Sequence, residues 1–351
     1  MALANKLFLS LVFLIILSPI VNADSYTQAL TKEKQQSIDA FWQTGEFSTF
    51  QGKANISIAY AQFFSEDHQD TIVFSPGRTE GYLKYDELVF DLYQQGYNVF
   101  VIDHRGQGIS QRLLNNPHKG YVKYFDDYSE DLNQFIDEIV VKTSNHIPHI
   151  LSHSMGGTIA VRYLQLYPSK VKSVVLSSPM IAINAGAMPN WFAHSMVATY
   201  ATFNDWFSDE PWYFIGQNDY KLKPFDGNDL SQDAERYKAM QQKYLANPTM
   251  QLGGVTAYWL QQAIQANEDI FAHLNDIDVP VLLLQSGADV IVDNEAQDEF
   301  CQQLHALHTQ SCPDGKAIVF EGARHEIFIE KNEIRAKAFE KTIAWYKQHS
   351  N

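Results

Sequence analysis

The tightest constraint on this chain is the stretch Ile150-Leu151-Ser152-His153-Ser154-Met155-Gly156-Gly157, where a short apolar run meets a helix-like segment. A strand, a one-residue turn and a helix start in that order describe a nucleophile elbow. The turn lifts a hydroxyl clear of the sheet edge, and the free N–H groups of the next helix point at whatever the serine attacks. The usual spacing is G-x-S-x-G. Gly156 supplies the second glycine, and Ser152 replaces the first, where strand and helix pass close and a small residue is wanted. Such a pentapeptide is a weak signal alone, so its meaning rests on the residues downstream of it.

Apolar strand patterns alternate with amphipathic helix patterns on both sides of the elbow. Phe47–Gln51, Ile56–Phe64 and Thr71–Phe74 read as strands, and Thr31–Phe41 as a polar surface helix leading in. Tyr85, Leu88, Val89, Leu92 and Tyr93 repeat at helical spacing and stop at Gly96, a C-terminal cap. Asn98–Asp103, Ser173–Ser177, Pro280–Gln285 and Ala317–Phe320 are further strands, and Phe125–Ile139 marks a helix. This alternation predicts an α/β fold with a mostly parallel sheet and helices on both faces.

A serine hydroxyl needs a histidine to take its proton and an acid to fix that histidine's tautomer. Two residues stand just past late strand ends: Asp289 after Leu282–Gln285, and His325 after Ile318–Phe320. The order Ser154, Asp289, His325 is the one such hydrolases use. Asp293 is a rival acid, but its setting reads as the N-cap of the next helix. His153, beside the serine, cannot turn back on its neighbour and is expected to pack against the sheet. The oxyanion needs two backbone N–H groups. Met155 supplies one, and Arg78 the other, with Gly77 allowing close approach. The Arg78 side chain is expected to pair with Glu80, the alternative being a reach to a substrate phosphate.

Asp103–Gly108 lacks the spacing of a phosphate loop and reads as a turn packing beside the elbow. No His, Cys and Glu set has metal-ligand spacing, so neither a metal nor a cofactor is expected. The net charge of −15 argues against nucleic acid, which needs a basic stripe, and leaves only apolar contact with a membrane. Lys6, the apolar run Leu7–Leu17 and Val21-Asn22-Ala23 read as a signal peptide cleaved after Ala23. The run is shorter than the ~20 residues a spanning helix requires. The chain is thus expected to be exported, periplasmic or secreted, and membrane-anchored if uncleaved. Cys301 and Cys312 are then candidates for a disulfide. Between about Met180 and Asp278 the alternation stops and Trp191, Trp206, Trp212 and Trp259 accumulate. This insertion reads as a helical cap whose aromatic underside meets an apolar substrate.

Pro76–Glu80, Asp103–Gly108, His153–Gly157 and Gly322–Glu326 together resemble the monoglyceride lipase and lysophospholipase branch of the α/β-hydrolases. The likeness runs from roughly Phe50 to Tyr346 and reaches into the insertion at Asn247–Gly254 and Tyr258-Trp259. The residue patterns divide the chain into a leader 1–23, a lead-in 24–46, a core of 47–179 and 279–351 and a cap 180–278, and the resemblance covers most of the core and the cap. That resemblance implies hydrolysis of the acyl ester of a lysophospholipid or monoacylglycerol, with Ser154, Asp289 and His325 in the triad positions. Serine aminopeptidases and other carboxylesterases share that triad. Asp205, Asp209 and Glu210 keep open a cap that binds a free amino terminus. An acyltransferase is not excluded by any residue. A non-catalytic binding relative would have lost a triad member, and none is missing.

Overall fold

The computed structural model describes residues 25–167, 170–186 and 188–350, so the leader expected over residues 1–23 lies outside the described residues. Helix α1 (Lys32–Trp42) starts where the Thr31 hydroxyl accepts the Lys34 N–H. It is less superficial than its polar sequence suggests, because Ile38 is buried and the Lys34 ammonium lies 2.8 Å from Glu87. Strands β1 (Glu46–Gln51), β2 (Ser57–Phe63) and β3 (Asp70–Ser75) follow, then α2 (Asp86–Gln94) and β4 (Tyr97–Ile102). Helix α3 (Asp126–Phe135) runs through one π turn into α4 (Val141–Ser144), which leads to β5 (His149–His153). The elbow helix α5 (Met155–Leu166) and β6 (Val174–Ser177) complete the first half. The insertion contributes α6 (Asn190–Phe207), α7 (Ala234–Ala246) and α8 (Ala257–Ala272). The chain ends with β7 (Val281–Ser286), α9 (Asn294–Leu307), β8 (Ile318–Phe320) and α10 (Asn332–Gln348).

The eight strands form one sheet in the order β1-β2-β4-β3-β5-β6-β7-β8. Strand β2 runs antiparallel to both neighbours, and the other pairs from β4 to β8 are parallel. Every residue of β4, β5, β6 and β7 is buried, which is why β4, β6 and β7 read as mainly apolar runs, while β5 also buries His149, Ser152 and His153. Successive side chains feed opposite cores. Val73, Phe100 and Ile150 face α3, α5 and α9, while Phe74, Val101 and Leu151 face α2 and α10. Burying each of these side chains contributes about 1.5–3 kcal/mol.

From β3 the chain crosses to β4 on one side and later to β5 on the other, so the order reverses there. Ligand sites in such sheets open at the carboxyl ends of the strands beside that reversal. Ser154 follows β5 at this point.

The insertion straddles the same strand ends. Its buried residues divide between the two cores: Trp259, Ala263 and Ile270 of α8 join one, and Tyr237, Met240 and Tyr244 of α7 join the other. Helix α6 packs against α8 and exposes most of its aromatic side chains.

Candidate active site

Ser154 is the single residue between β5 and α5, with φ 51° and ψ −120°. That is a conformation a side chain adopts at a cost of roughly 1–3 kcal/mol. Backbone bonds hold it: Ser154 N–H donates to Ser177 O at 3.0 Å, and Ser154 O accepts from Gly157 N and Met180 N, each at 2.9 Å. The close approach is tightest at Gly156, where a Cβ would sit 2.0 Å from Ser75 O. At Gly157 it would meet Pro179 at 2.5 Å. Ser152 is accommodated because its hydroxyl donates to Val175 O at 3.3 Å, so the turn forms without the first glycine.

The loops after β7 and β8 bring Asp289 and His325 to this serine. His325 Nε2 lies 2.9 Å from Ser154 Oγ, and His325 Nδ1 lies 2.7 Å from Asp289 Oδ2. A carboxylate only accepts, so Nδ1 carries the proton and Nε2 presents its lone pair to the serine O–H. Asp289 is held in turn by the N–H groups of Ile291 and Val292 at 2.8 and 3.3 Å. Asp293 caps α9, accepting from Glu295 N and Ala296 N, and does not reach the histidine. The insertion fixes the histidine loop from above, with Leu230 O accepting the Glu326 N–H at 2.9 Å.

Arg78 lies in the loop after β3, and both Arg78 and Ser154 line the same cavity. Among the described residues, neither the Arg78 nor the Met155 main-chain N–H has a hydrogen-bond partner. The loop is fixed around them. Gln107 donates to Gly77 O at 2.6 Å and Glu80 O at 3.1 Å, and Tyr244 of α7 donates to Thr79 O at 2.8 Å. The expected pairing of the Arg78 side chain with Glu80 does not form. Its guanidinium donates to Gly253 O at 3.0 Å and stacks 5.5 Å over Trp259, both in the insertion. Burial lowers its pKa to about 10. His104, from the turn beside the elbow, meets Ser75 Oγ at 2.8 Å. Burial, reinforced by the charge of Arg105, drives its pKa down to about 3.

His153 also departs from expectation. It faces a buried carboxylate pair instead of only packing on the sheet, with Glu326 3.4 Å and Glu80 3.7 Å from its Nε2. These three residues are the group of acidic and histidine donors among the described residues close enough to share a cation. The Lys84 ammonium already bridges both carboxylates. Sequence reasoning passed over Lys84 and Glu326 and assigned Glu80 to Arg78. The available signal was that both glutamates close motifs of the family resemblance and that Lys84 follows Glu80 at helical spacing.

The cavity above Ser154 measures about 750 Å³, within the usual range for a small-molecule site. Its walls are mainly apolar, including Ile181, Met196, Val197, Phe214 and Leu260, with Trp259 beside Arg78. Glu268, Glu295 and Glu299 add carboxylates to the lining. Asp205, Asp209 and Glu210 are exposed and lie outside it. The aromatic cap residues do not all form its underside. Trp191, Trp206 and Phe207 are about 70% exposed on the outer face of α6, and only Trp259 of the four tryptophans both lines the cavity and is buried. Away from the site, Cys301 and Cys312 are joined in a disulfide that ties α9 to the segment before β8.

A sheet of this order, with a serine elbow after β5 and an acid and a histidine after β7 and β8, defines an α/β-hydrolase. Residues 66–332 match the family model described as serine aminopeptidase, S33, and the chain belongs to that family. It is 35% identical over 311 residues to lysophospholipase L2 of Escherichia coli K12, covering 89% of this chain and 90% of the relative. It is 25% identical to human monoglyceride lipase, covering 80% and 82% of the two chains. The fold is shared with a soluble variant of monoglyceride lipase from Saccharomyces cerevisiae at TM-score 0.68 and 19% identity, covering 87% of this chain and 94% of that one. The chain is therefore a carboxylic ester hydrolase of the monoglyceride lipase and lysophospholipase type.

Proposed function

We propose that this enzyme cleaves the one acyl ester of a lysophospholipid or monoacylglycerol through an acyl-enzyme on Ser154. The observation that carries this reading is the 2.9 Å approach of His325 Nε2 to a serine at the floor of a large, mainly apolar cavity. Ser154 Oγ attacks the ester carbonyl while its proton passes to His325 Nε2. The imidazolium is held by Asp289, and the oxyanion is met by the N–H groups of Arg78 and Met155. The proton then passes from His325 to the leaving alcohol oxygen as its bond to carbon breaks. A water gives its proton to His325 and attacks the acyl carbon, and His325 returns the proton to Ser154 as the fatty acid leaves.

The outward aromatic face of α6 suits contact with the membrane from which a single-chain lipid is drawn. The net charge of −15 makes that contact apolar instead of electrostatic. Export is supported by the leader's composition and by the Cys301–Cys312 bridge, which suits an oxidising compartment.

Glu268, Glu295 and Glu299 favour a second reading, in which a cationic group enters the cavity. That group would be the ammonium of a phospholipid head or the amine of a peptide. The test is turnover of lysophosphatidylcholine, monoolein, a short nitrophenyl ester and an aminoacyl anilide by the purified protein. The lipid esters should be cleaved fastest. Turnover confined to the anilide would replace the lipase reading with the peptidase one.

A further inference from the structure

Behind the triad lies a closed group of buried charges. Glu80 accepts the Gly77 N–H at 2.5 Å and the Tyr85 hydroxyl at 2.6 Å, and Lys84 bridges Glu80 to Glu326. His153 donates from Nδ1 to Ser177 O at 3.2 Å, which turns its Nε2 towards Glu326 and Glu80. Its ring lies 4.7 Å from that of His325, centre to centre. Glu80, Lys84, His153 and Glu326 are all at most 5% exposed.

The placement of these residues along the chain is the informative point. Gly77, held by Glu80, precedes Arg78. His153 precedes Ser154, and Glu326 follows His325. Each arm of the cluster therefore ends one residue from a group that the reaction requires, and the three groups come from three separate loops. We infer that Glu80, Lys84, His153 and Glu326 are positioning residues that hold the oxyanion loop, the nucleophile turn and the base loop in mutual register.

The energetics favour such a role. Burying two carboxylates is costly unless each is paired, and removing one partner leaves an uncompensated charge. Burial opposes ionisation of Glu326, but Lys84 and then His153 outweigh it and hold that carboxyl well below its usual range. Burial likewise opposes protonation of His153, and Glu326 and Glu80 outweigh it and raise its pKa. Burial and the charge of Glu326 push the Glu80 carboxyl up against the pull of Lys84 and His153, so each acid of the cluster depends on the same two basic side chains. The arrangement is stiff because no member can move without stranding another. A displacement of about 1 Å at a catalytic group can cost roughly a hundredfold in rate.

The test compares Glu80→Gln, which keeps the size of the side chain, with Lys84→Met, which removes the bridge. Sites are counted by fluorophosphonate titration, and kcat and KM are measured per titrated site on nitrophenyl butyrate. Neither reagent presumes the natural substrate, so the result is independent of which lipid the enzyme prefers. Positioning predicts that kcat per site falls by roughly tenfold or more while KM stays within about twofold. The rate of phosphonylation of Ser154 should fall with it. A kcat per site within about twofold of wild type in both variants overturns the inference. So does a loss of titratable sites with no change in kcat per site, or no titratable sites in either variant, because the cluster would then serve folding alone.

Discussion

His325 sits between its two partners with Nδ1 2.7 Å from Asp289 Oδ2 and Nε2 2.9 Å from Ser154 Oγ. Because Asp289 can only accept, it dictates which ring nitrogen is bare. Asp289→Asn should therefore leave the fold intact and present the wrong tautomer to the serine, lowering kcat by about 10⁴-fold. Steady-state turnover of a nitrophenyl ester measures this, and activity within a few-fold of wild type would remove Asp289 from the triad. Ser154→Ala should abolish fluorophosphonate labelling. Persistent labelling would move the nucleophile elsewhere.

The elbow depends on the absence of a side chain more than on the first residue of its motif. A Cβ at Gly156 would lie 2.0 Å from the backbone oxygen of Ser75, which cannot swing away as a side chain would. Gly156→Ala should force β3 and α5 apart, costing about 1–3 kcal/mol and misplacing Ser154. Thermal unfolding and active-site titration together measure the two effects. Ser152→Gly, by contrast, loses only the bond to Val175 O and should change turnover by less than about threefold.

Much of this site was legible because its parts are local. Strands β4 and β7 are buried on both faces and so read as mainly apolar runs, and the turns after β5, β7 and β8 carry Ser154, Asp289 and His325 in a fixed order. Asp293 could be set aside as a helix cap from its position alone, and it does cap α9. The rest depends on partners that the sequence does not display. Arg78 finds the carbonyl of Gly253, 175 residues away, and any residue type could supply that acceptor. Glu326 meets Lys84 across 242 residues. The aromatics of α6 show apolar character without direction. Whether Trp206 faces the cavity or the solvent is decided by how α6 lies across α8, and a tryptophan looks the same in the sequence either way.

That outward face has a measurable consequence. Trp191, Phe203, Trp206 and Phe207 present apolar area that nothing in the chain covers among the described residues, and single-chain lipids partition into membranes. Trp206→Glu with Phe207→Asp should weaken sedimentation with neutral phosphatidylcholine vesicles by roughly tenfold or more. Turnover of a soluble nitrophenyl ester should stay within about twofold, since neither residue lines the cavity. Added salt should leave vesicle binding of the wild type intact, because the proposed contact is apolar. Salt-sensitive binding, or binding unchanged in the double variant, would transfer the contact to another surface.

His149 predicts how the fold responds to acid. It lies at the start of β5, opposite the catalytic end, with Nδ1 2.9 Å from Ser173 Oγ and its ring 4.6 Å from that of Tyr346, tilted by 31°. Burial drives its pKa down to about 3, whereas an unfolded histidine titrates near 6.5. Between these values the unfolded chain binds the extra proton, so the stability tied to this group is complete above about pH 6.5 and drains away as the pH falls towards 3. The slope is at most about 1.4 kcal/mol per pH unit. His149→Asn should be less stable than wild type at pH 7.5, where the ring packing is lost. The gap should narrow at pH 5.5 and again at pH 4.5, because asparagine has no proton to take up. Urea melts at the three pH values measure the gap. One that stays constant would mean that His149 titrates alike in the folded and unfolded chains.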